Sequence, residues 1–155
     1  QGQRAWLAAP VVHAPLQSRE SCLACHGAHA GMATGVLKQA GEKLCFQCHD
    51  PRPFRRKNVH AALEQGCATC HDPHSGKHKR LLTEDVDTLC RQCHSDTAKH
   101  FHKVSGGVDP RTNEPLSCVG CHLPHSSDQP SLLTHEPTRE LCIQCHDPSM
   151  GPKRD

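Results

Sequence analysis

The sequence is poor in the side chains that usually build a hydrophobic core. It has no tyrosine, one tryptophan and three phenylalanines in 155 residues. A chain of this composition does not bury enough apolar surface to stabilise a compact fold alone. It also lacks an apolar run long enough to cross a membrane, so no membrane span is predicted. The formal net charge is only +2 and the basic residues are scattered, so no nucleic-acid partner is predicted.

What the sequence does contain is one short motif, C-x-x-C-H, six times. This pattern is the attachment signature of c-type haem, in which two thiols bond to the porphyrin and the adjacent histidine binds the iron. Zinc sites and disulfide frameworks do not require a histidine after every cysteine pair. We therefore predict six covalently bound haem c groups. The thioether cysteines are Cys22, Cys25, Cys45, Cys48, Cys67, Cys70, Cys90, Cys93, Cys118, Cys121, Cys142 and Cys145. The proximal iron ligands are His26, His49, His71, His94, His122 and His146.

The six motifs form three copies of a larger repeat. The first cysteines of paired motifs are 23, 23 and 24 residues apart, the odd-numbered motifs continue as CxxCHxxH, and each even-numbered motif follows a leucine. The sequence predicts a single hexahaem domain over 1–155, built from three dihaem repeats at approximately 11–50, 58–95 and 100–147. A longer surface loop is expected at 105–115, where glycine and proline are frequent.

The spacers within the repeats predict short helices that run into the second motif. These helices are expected over 36–49, 81–94 and 136–146, with Pro137 in the first turn of the last. No segment has a convincing strand pattern. The expected fold is a multihaem cytochrome c, with short α-helices and irregular loops wrapped around a stacked haem array and little or no β-sheet. Folding is expected to be coupled to haem attachment, as it is coupled to metal binding in small metal-dependent domains.

Nine histidines lie outside the motifs and are candidates for the distal side of each iron. His29 cannot bind the iron held by His26, because two imidazoles in trans place their Cα atoms roughly 13 Å apart and three extended residues span only about 10 Å. If each repeat supplies its own ligands, the distal ligands of haems one to six, in order, are His13, His29, His60, His74, His102 and His125. Under this assignment His78, His100 and His135 are spare. Rival assignments use His100 or His135, or swap ligands between repeats. Met32 and Met150 are alternative axial ligands, but neither recurs in the repeat.

The segment Val12-His13-Ala-Pro-Leu16 and the CxxCHxPH and LCxxCH runs together resemble the repeat of the doubled-CxxCH multihaem cytochromes across nearly the whole chain. The repeat is similar to those of the periplasmic pentahaem donor to nitrite reductase and of the decahaem proteins of porin–cytochrome conduits. The resemblance implies bis-histidine haems and electron transfer between partners. Methionine ligation would raise the potential, so all-histidine ligation predicts low-spin haems of low potential.

The leading interpretation is an electron relay between a redox donor and an acceptor, and not an enzyme. One alternative is a subunit of a polymeric extracellular wire, with copies of the chain as partners, or a component of an outer-membrane conduit. Another is a multihaem reductase of nitrite, hydroxylamine or sulfite, which would need an open iron position. Bacteria attach haem c outside the cytoplasmic membrane, so we expect a periplasmic or cell-surface location, with a signal peptide already removed.

Overall fold

The computed structural model describes residues 3–29, 31, 35–95 and 107–150, and its regular elements are short. The α-helices in these ranges are α1 (Gln3–Leu7), α2 (Glu42–Cys45), α3 (Val86–Arg91) and α4 (Arg139–Cys142). The strands are β1 (Val11–Val12), β2 (Asn58–Val59), β3 (Ser75–Gly76), β4 (Val108–Asp109), β5 (Glu114–Pro115) and β6 (Ser126–Ser127). Segments of 3-10 helix cover Ala14–Gln17, Ser21–Ala24, Arg52–Phe54, Ala61–Gln65, Cys67–Thr69, Lys79–Leu81, Cys118–Gly120, Pro130–Leu132 and Pro148–Met150. The expectation of short helices and irregular segments is confirmed, and the stacked haem array stays a prediction.

The chain divides into two compact units. The first comprises Gln1–Pro51 and Ala62–Asp85, and the second comprises Arg52–Ala61 and Val86–Asp155. Each unit contains three C-x-x-C-H motifs, because the boundary falls between the two motifs of the second repeat. The compact units are therefore not the sequence repeats, and the single domain over 1–155 stays a prediction.

An antiparallel strand pair ties distant segments together inside each unit. In the first unit β1 pairs with β3, and in the second β2 pairs with β6. The second pair is fixed by Ser126, whose side chain is only 2% exposed. Its hydroxyl donates to the Pro53 carbonyl at 2.7 Å and accepts from the backbone N–H of Arg56 at 3.0 Å. A buried serine with both partners satisfied holds two strands in one register.

The helices begin later than the sequence predicted. The predicted starts at 36, 81 and 136 become Glu42, Val86 and Arg139 in the structure. The segments between each odd-numbered motif and its following helix instead contain residues with positive φ, which cannot continue a right-handed helix. The last helix starts after Thr138, whose hydroxyl accepts from the backbone N–H of Glu140, so Pro137 lies outside the helix.

The described part of the predicted surface loop at 105–115 forms the hairpin of β4 and β5, and its residues are exposed apart from Gly107 and Asp109. Asp109 is 5% exposed and accepts two hydrogen bonds from the Arg111 side chain, at 2.9 and 2.6 Å. Arg111 also donates to the carbonyl of Gly120, inside the fifth motif, at 2.7 Å. The ion pair therefore fastens the hairpin to a motif, which the glycine and proline content alone did not reveal.

Among the described residues no hydrophobic side chain is buried, and Leu7, Leu23, Val36, Val59 and Val108 are exposed. The polypeptide alone therefore leaves these apolar side chains exposed, where a bound apolar group would cover them. No helix in the described ranges is long and apolar enough to span a membrane.

Candidate haem-attachment sites

All six C-x-x-C-H motifs fold into the same turn. In each, the histidine N–H donates to the carbonyl of the first cysteine at 2.9 to 3.1 Å, and the second cysteine N–H approaches the same carbonyl at 3.2 to 3.3 Å. Side chains three and four residues apart lie on one face of a helical turn. The two thiols and the imidazole are therefore presented together, as covalent attachment of a porphyrin and ligation of its iron require. None of the twelve cysteines, all of which lie in described ranges, is joined in a disulfide.

A backbone carbonyl orients the imidazole of each odd-numbered motif. The Nδ1 atoms of His26, His71 and His122 lie 2.8 Å from carbonyl oxygens nine residues downstream. When Nδ1 donates to a carbonyl, Nε2 is left as the acceptor that can bind a metal. This second contact fixes both the tautomer and the direction of the ring. These oriented imidazoles are what ligation of a haem iron requires.

The carbonyls that orient these imidazoles come from residues in the left-handed region. They belong to Gly35 (φ 78°), Arg80 (φ 59°) and Ser131 (φ 51°). The residue after each also has positive φ, and its carbonyl accepts from the residue that follows the motif histidine. Non-glycine residues in this region cost about 1–3 kcal/mol, a strain that concentrates at functional sites. We refer to these three segments as the histidine clamps.

The histidine clamps were missed by sequence reasoning, although a signal was present. A leucine follows each left-handed pair and bridges back to the motif histidine: Leu37 to His26, Leu82 to His71 and Leu133 to His122. This leucine recurs eleven residues after the histidine in all three repeats. Because Leu37 and Leu82 were assigned to the predicted helices, the repeated spacing of this backbone contact was overlooked.

Two of the predicted distal histidines, His13 and His60, are each held by the backbone carbonyl of a proline in a distant segment. His13 follows β1, and its Nδ1 lies 2.7 Å from the carbonyl of Pro73. His60 follows β2 in the second unit, and its Nδ1 lies 2.9 Å from the carbonyl of Pro124. Both prolines precede the last histidine of a CxxCHxPH run, so the same construction occurs once in each unit. As in the clamps, the contact leaves Nε2 available for a metal.

The histidines that end the CxxCHxPH runs rest against aromatic rings. Trp6 of α1 stacks on His74 with ring centres 4.3 Å apart and planes 9° apart. Phe54 lies on His125 at 4.2 Å, with a tilt of 33°. Two of the four tryptophan and phenylalanine side chains thus pack against candidate ligands. In this chain Trp6 and Phe54 therefore pack against histidines and do not form a buried hydrophobic core.

Three pairs of imidazoles lie at similar separations within the units. The ring centres are 6.2 Å apart for His26 and His74, 6.1 Å for His13 and His49, and 6.0 Å for His60 and His94. Their planes differ by 11°, 21° and 23° respectively. A cavity of about 230 Å³ lies at the first pair and is lined by Trp6, Leu16, Cys22, His26 and His74.

Three other histidines of the described ranges, His29, His78 and His135, are not placed in such a pair. His29 is exposed, and within the described ranges no ring pair includes it. His135 is half-buried with its Nδ1 3.2 Å from the hydroxyl of Thr134, and His78 is half-buried. His100 and His102 lie outside the described residues, as does Met32. The distal role of His102 and of His29 stays a prediction.

Thiols of successive motifs lie close together inside each unit. In the first unit, burial and, to a smaller extent, the neighbouring Cys67 together raise the pKa of the Cys45 thiol to about 11. In the second, burial and, to a smaller extent, Asp87 and Cys90 together raise the pKa of the Cys118 thiol to about 12. The second and third motifs, and likewise the fourth and fifth, therefore have neighbouring attachment points. Asp87 accepts from both the thiol and the backbone N–H of Cys118 at 3.2 Å, which fixes that spacing.

Comparison with protein families supports this interpretation of the motifs. A family model described as the doubled CXXCH motif matches the chain three times, over residues 13–53, 60–99 and 110–151. The first two matches begin at His13 and His60, while the third begins after His100 and His102. Together the matches cover more than half of the chain. A comparison with curated proteins finds no match.

Proposed function

Because the chain belongs to the doubled-CXXCH motif family, whose members are multihaem c-type cytochromes, we propose that it relays electrons between two redox proteins through six covalently bound haem c groups. The observation that carries the proposal is the sixfold recurrence of one turn, which uses every cysteine of the chain and closes in the same way each time. Haem c, once bound, supplies an iron that takes up and releases one electron. The polypeptide supplies attachment, orientation and spacing.

The ligands of the proposed relay are imidazoles on both sides of each iron. The proximal set comes from the six motifs, and the distal set is drawn from His13, His29, His60, His74, His102 and His125. Histidine as the second ligand keeps the potential lower than methionine would. Backbone carbonyls orient both kinds of ligand, because the Nδ1 contacts of His26 and His13 have the same form. Such fixed imidazoles favour rapid electron exchange, since the ligands need not rearrange when the charge changes.

The spacing of the attachment points also supports a relay. A thiol of the second motif lies beside one of the third, and a thiol of the fourth lies beside one of the fifth. In the first unit, His13 and His74 lie next to each other and face two different motifs. Each unit therefore holds consecutive sites close together along the chain, with little polypeptide between them. The donor and the acceptor proteins are proposed to contact opposite ends of the series, outside the cytoplasmic membrane where haem c is attached.

A reductase is the less favoured function. Catalysis on a small substrate needs an iron with an open position and acid–base groups beside it. At His26, His49 and His94 a second imidazole already lies opposite the motif histidine. The arrangement therefore favours electron transfer over substrate binding at these three sites.

The proposal is tested on the purified native protein. Intact-mass analysis should give six porphyrins per chain, and the spectra of the oxidised protein should be dominated by low-spin haem. Stopped-flow mixing with a low-potential reductant and then an oxidant should reduce and reoxidise all six haems. Fewer than six porphyrins, a mainly high-spin population, or rapid binding of nitrite or cyanide at a majority of haems would refute the relay.

A further inference from the structure

The neighbouring histidines His13 and His74 face different motifs. The backbone N–H of His13 donates to the carbonyl of His74 at 2.9 Å, so the two residues lie side by side. Yet the ring of His13 is opposite His49, and the ring of His74 is opposite His26. One strand pair thus delivers two imidazoles to two separate sites in the first unit.

The separations of these rings match ligation of a common iron. A metal–nitrogen bond of about 2.0–2.1 Å on each side, plus about 1.1 Å from each nitrogen to its ring centre, gives roughly 6.3 Å between ring centres in trans. The observed distances are 6.2 Å for His26 and His74 and 6.1 Å for His13 and His49. A direct stack is shorter, as the 4.3 Å between Trp6 and His74 shows. The gap therefore has room for a metal between the rings.

The cavity beside the first pair has the lining that a porphyrin needs. It contains a thioether cysteine, Cys22, and both imidazoles, with Trp6 and Leu16 as apolar walls. His74 belongs to the second sequence repeat, whereas Cys22 and His26 belong to the first. The site is therefore completed by residues of two repeats.

The second unit repeats half of this arrangement independently. His60 contacts the Pro124–His125 segment in the same way that His13 contacts Pro73–His74. The backbone N–H of His60 donates to the carbonyl of His125 at 2.9 Å, and its Nδ1 lies beside the carbonyl of Pro124. Its ring lies 6.0 Å from that of His94, the second motif of its own repeat. Two separate units thus pair the upstream histidine with the second motif of the repeat.

We infer that the second repeat donates a distal ligand to the first: His74 caps the iron attached at Cys22 and Cys25, while His13 caps the iron at Cys45 and Cys48, and His60 the iron at Cys90 and Cys93. The inference rests on the proposed function and gives it a ligand map. This map differs from the order suggested by the sequence, in which His13 serves the first haem, His60 the third and His74 the fourth. It assigns the upstream histidine to the second haem of its repeat, and the CxxCHxPH histidine of the second repeat to the first haem of the repeat before it.

The test combines His74→Ala with the removal of single haems. In the six-haem protein, His74→Ala should convert one haem per chain to high spin and allow one carbon monoxide to bind after reduction. In a Cys22→Ala/Cys25→Ala background, which lacks the first haem, adding His74→Ala should produce no further carbon monoxide binding. In a Cys90→Ala/Cys93→Ala background, which lacks the fourth haem, it should add one. The opposite pattern would overturn the map in favour of the order suggested by the sequence.

A haem-resolved structure of the intact protein decides the same question without any deletion. The Nε2 of His74 should lie within bonding distance of the iron attached at Cys22 and Cys25. Another histidine at that iron would overturn the inference, while the relay would stand if six low-spin haems were present. His78→Ala serves as the matched control, because it removes a half-buried histidine of the same unit and should bind no carbon monoxide. A wild-type protein with fewer than six haems would instead refute the proposed function.

Discussion

Replacement of Trp6 by alanine should loosen the proposed iron ligand His74 without changing any haem-attachment residue. The indole of Trp6 stacks on His74 at 4.3 Å and within 9° of parallel, so it restricts the imidazole to one orientation. Aromatic pairs of this kind contribute about 0.5–1.5 kcal/mol. If that energy holds the ligand in place, its loss raises the fraction of chains with His74 dissociated by about 2- to 13-fold.

The dissociated fraction is measured by carbon monoxide capture. Carbon monoxide binds the reduced iron only when the distal histidine is off, so the slow rate of binding at one haem should rise by the same factor in Trp6→Ala. Trp6→Phe keeps an aromatic face and should stay near the wild-type rate. Leu7→Ala, in the same helix but at a side chain that is 55% exposed, is the control for disturbance of α1. Equal rates in Trp6→Ala and Leu7→Ala would show that the stack does not hold a ligand.

Three further outcomes are expected. Hydrogen bonds from Arg111 lower the pKa of Asp109 to about 2, so the ion pair stabilises the hairpin at any pH above the ordinary carboxyl pKa, and this contribution is lost as the pH falls from about 4 towards 2. Amide exchange in the hairpin should increase over that pH range. Asp109→Asn should abolish this dependence of amide exchange on pH. Ser126→Ala leaves a buried N–H and a carbonyl without their partner and should cost about 1–3 kcal/mol in the free energy of unfolding measured with guanidinium. Gly35→Ala should lower the free energy of unfolding by about 1 kcal/mol, because alanine is strained at the positive φ of this position. Arg80→Gly should change it by less than about 0.5 kcal/mol, because the relief of backbone strain offsets the added freedom of the unfolded chain. Equal losses in both variants would exclude backbone strain as the cause.

The attachment sites could be predicted from sequence because their chemistry is local. Cys22, Cys25 and His26 fall within one turn, and a single hydrogen-bonded turn is enough to bring them together. The histidine clamps could not be predicted in the same way. Arg80 occupies a left-handed position where glycine would be expected, so its side chain gives no sign of the backbone conformation. Its function lies in its carbonyl, which every residue possesses.

The proposed pairing of distal ligands departs from the order suggested by the sequence for a different reason. Counting histidines per repeat treats each repeat as a folded unit, but β1 pairs with a strand 64 residues away in the next repeat. That pairing carries His13 and His74 together and sends their rings to separate motifs. The first two helix starts were predicted too early because Leu37 and Leu82 bridge to the motif histidines and lie outside the helices.

The pairing of β1 with β3 bears on how arrays of this kind can grow or be engineered. A protein cut after its first fifty residues would keep His26 and lose the partner ring, the proline carbonyl that holds His13, and half of the strand pair. If further repeats are added to this chain, the junctions should therefore lie at matching points inside successive repeats, so that each strand pair between neighbouring repeats is kept.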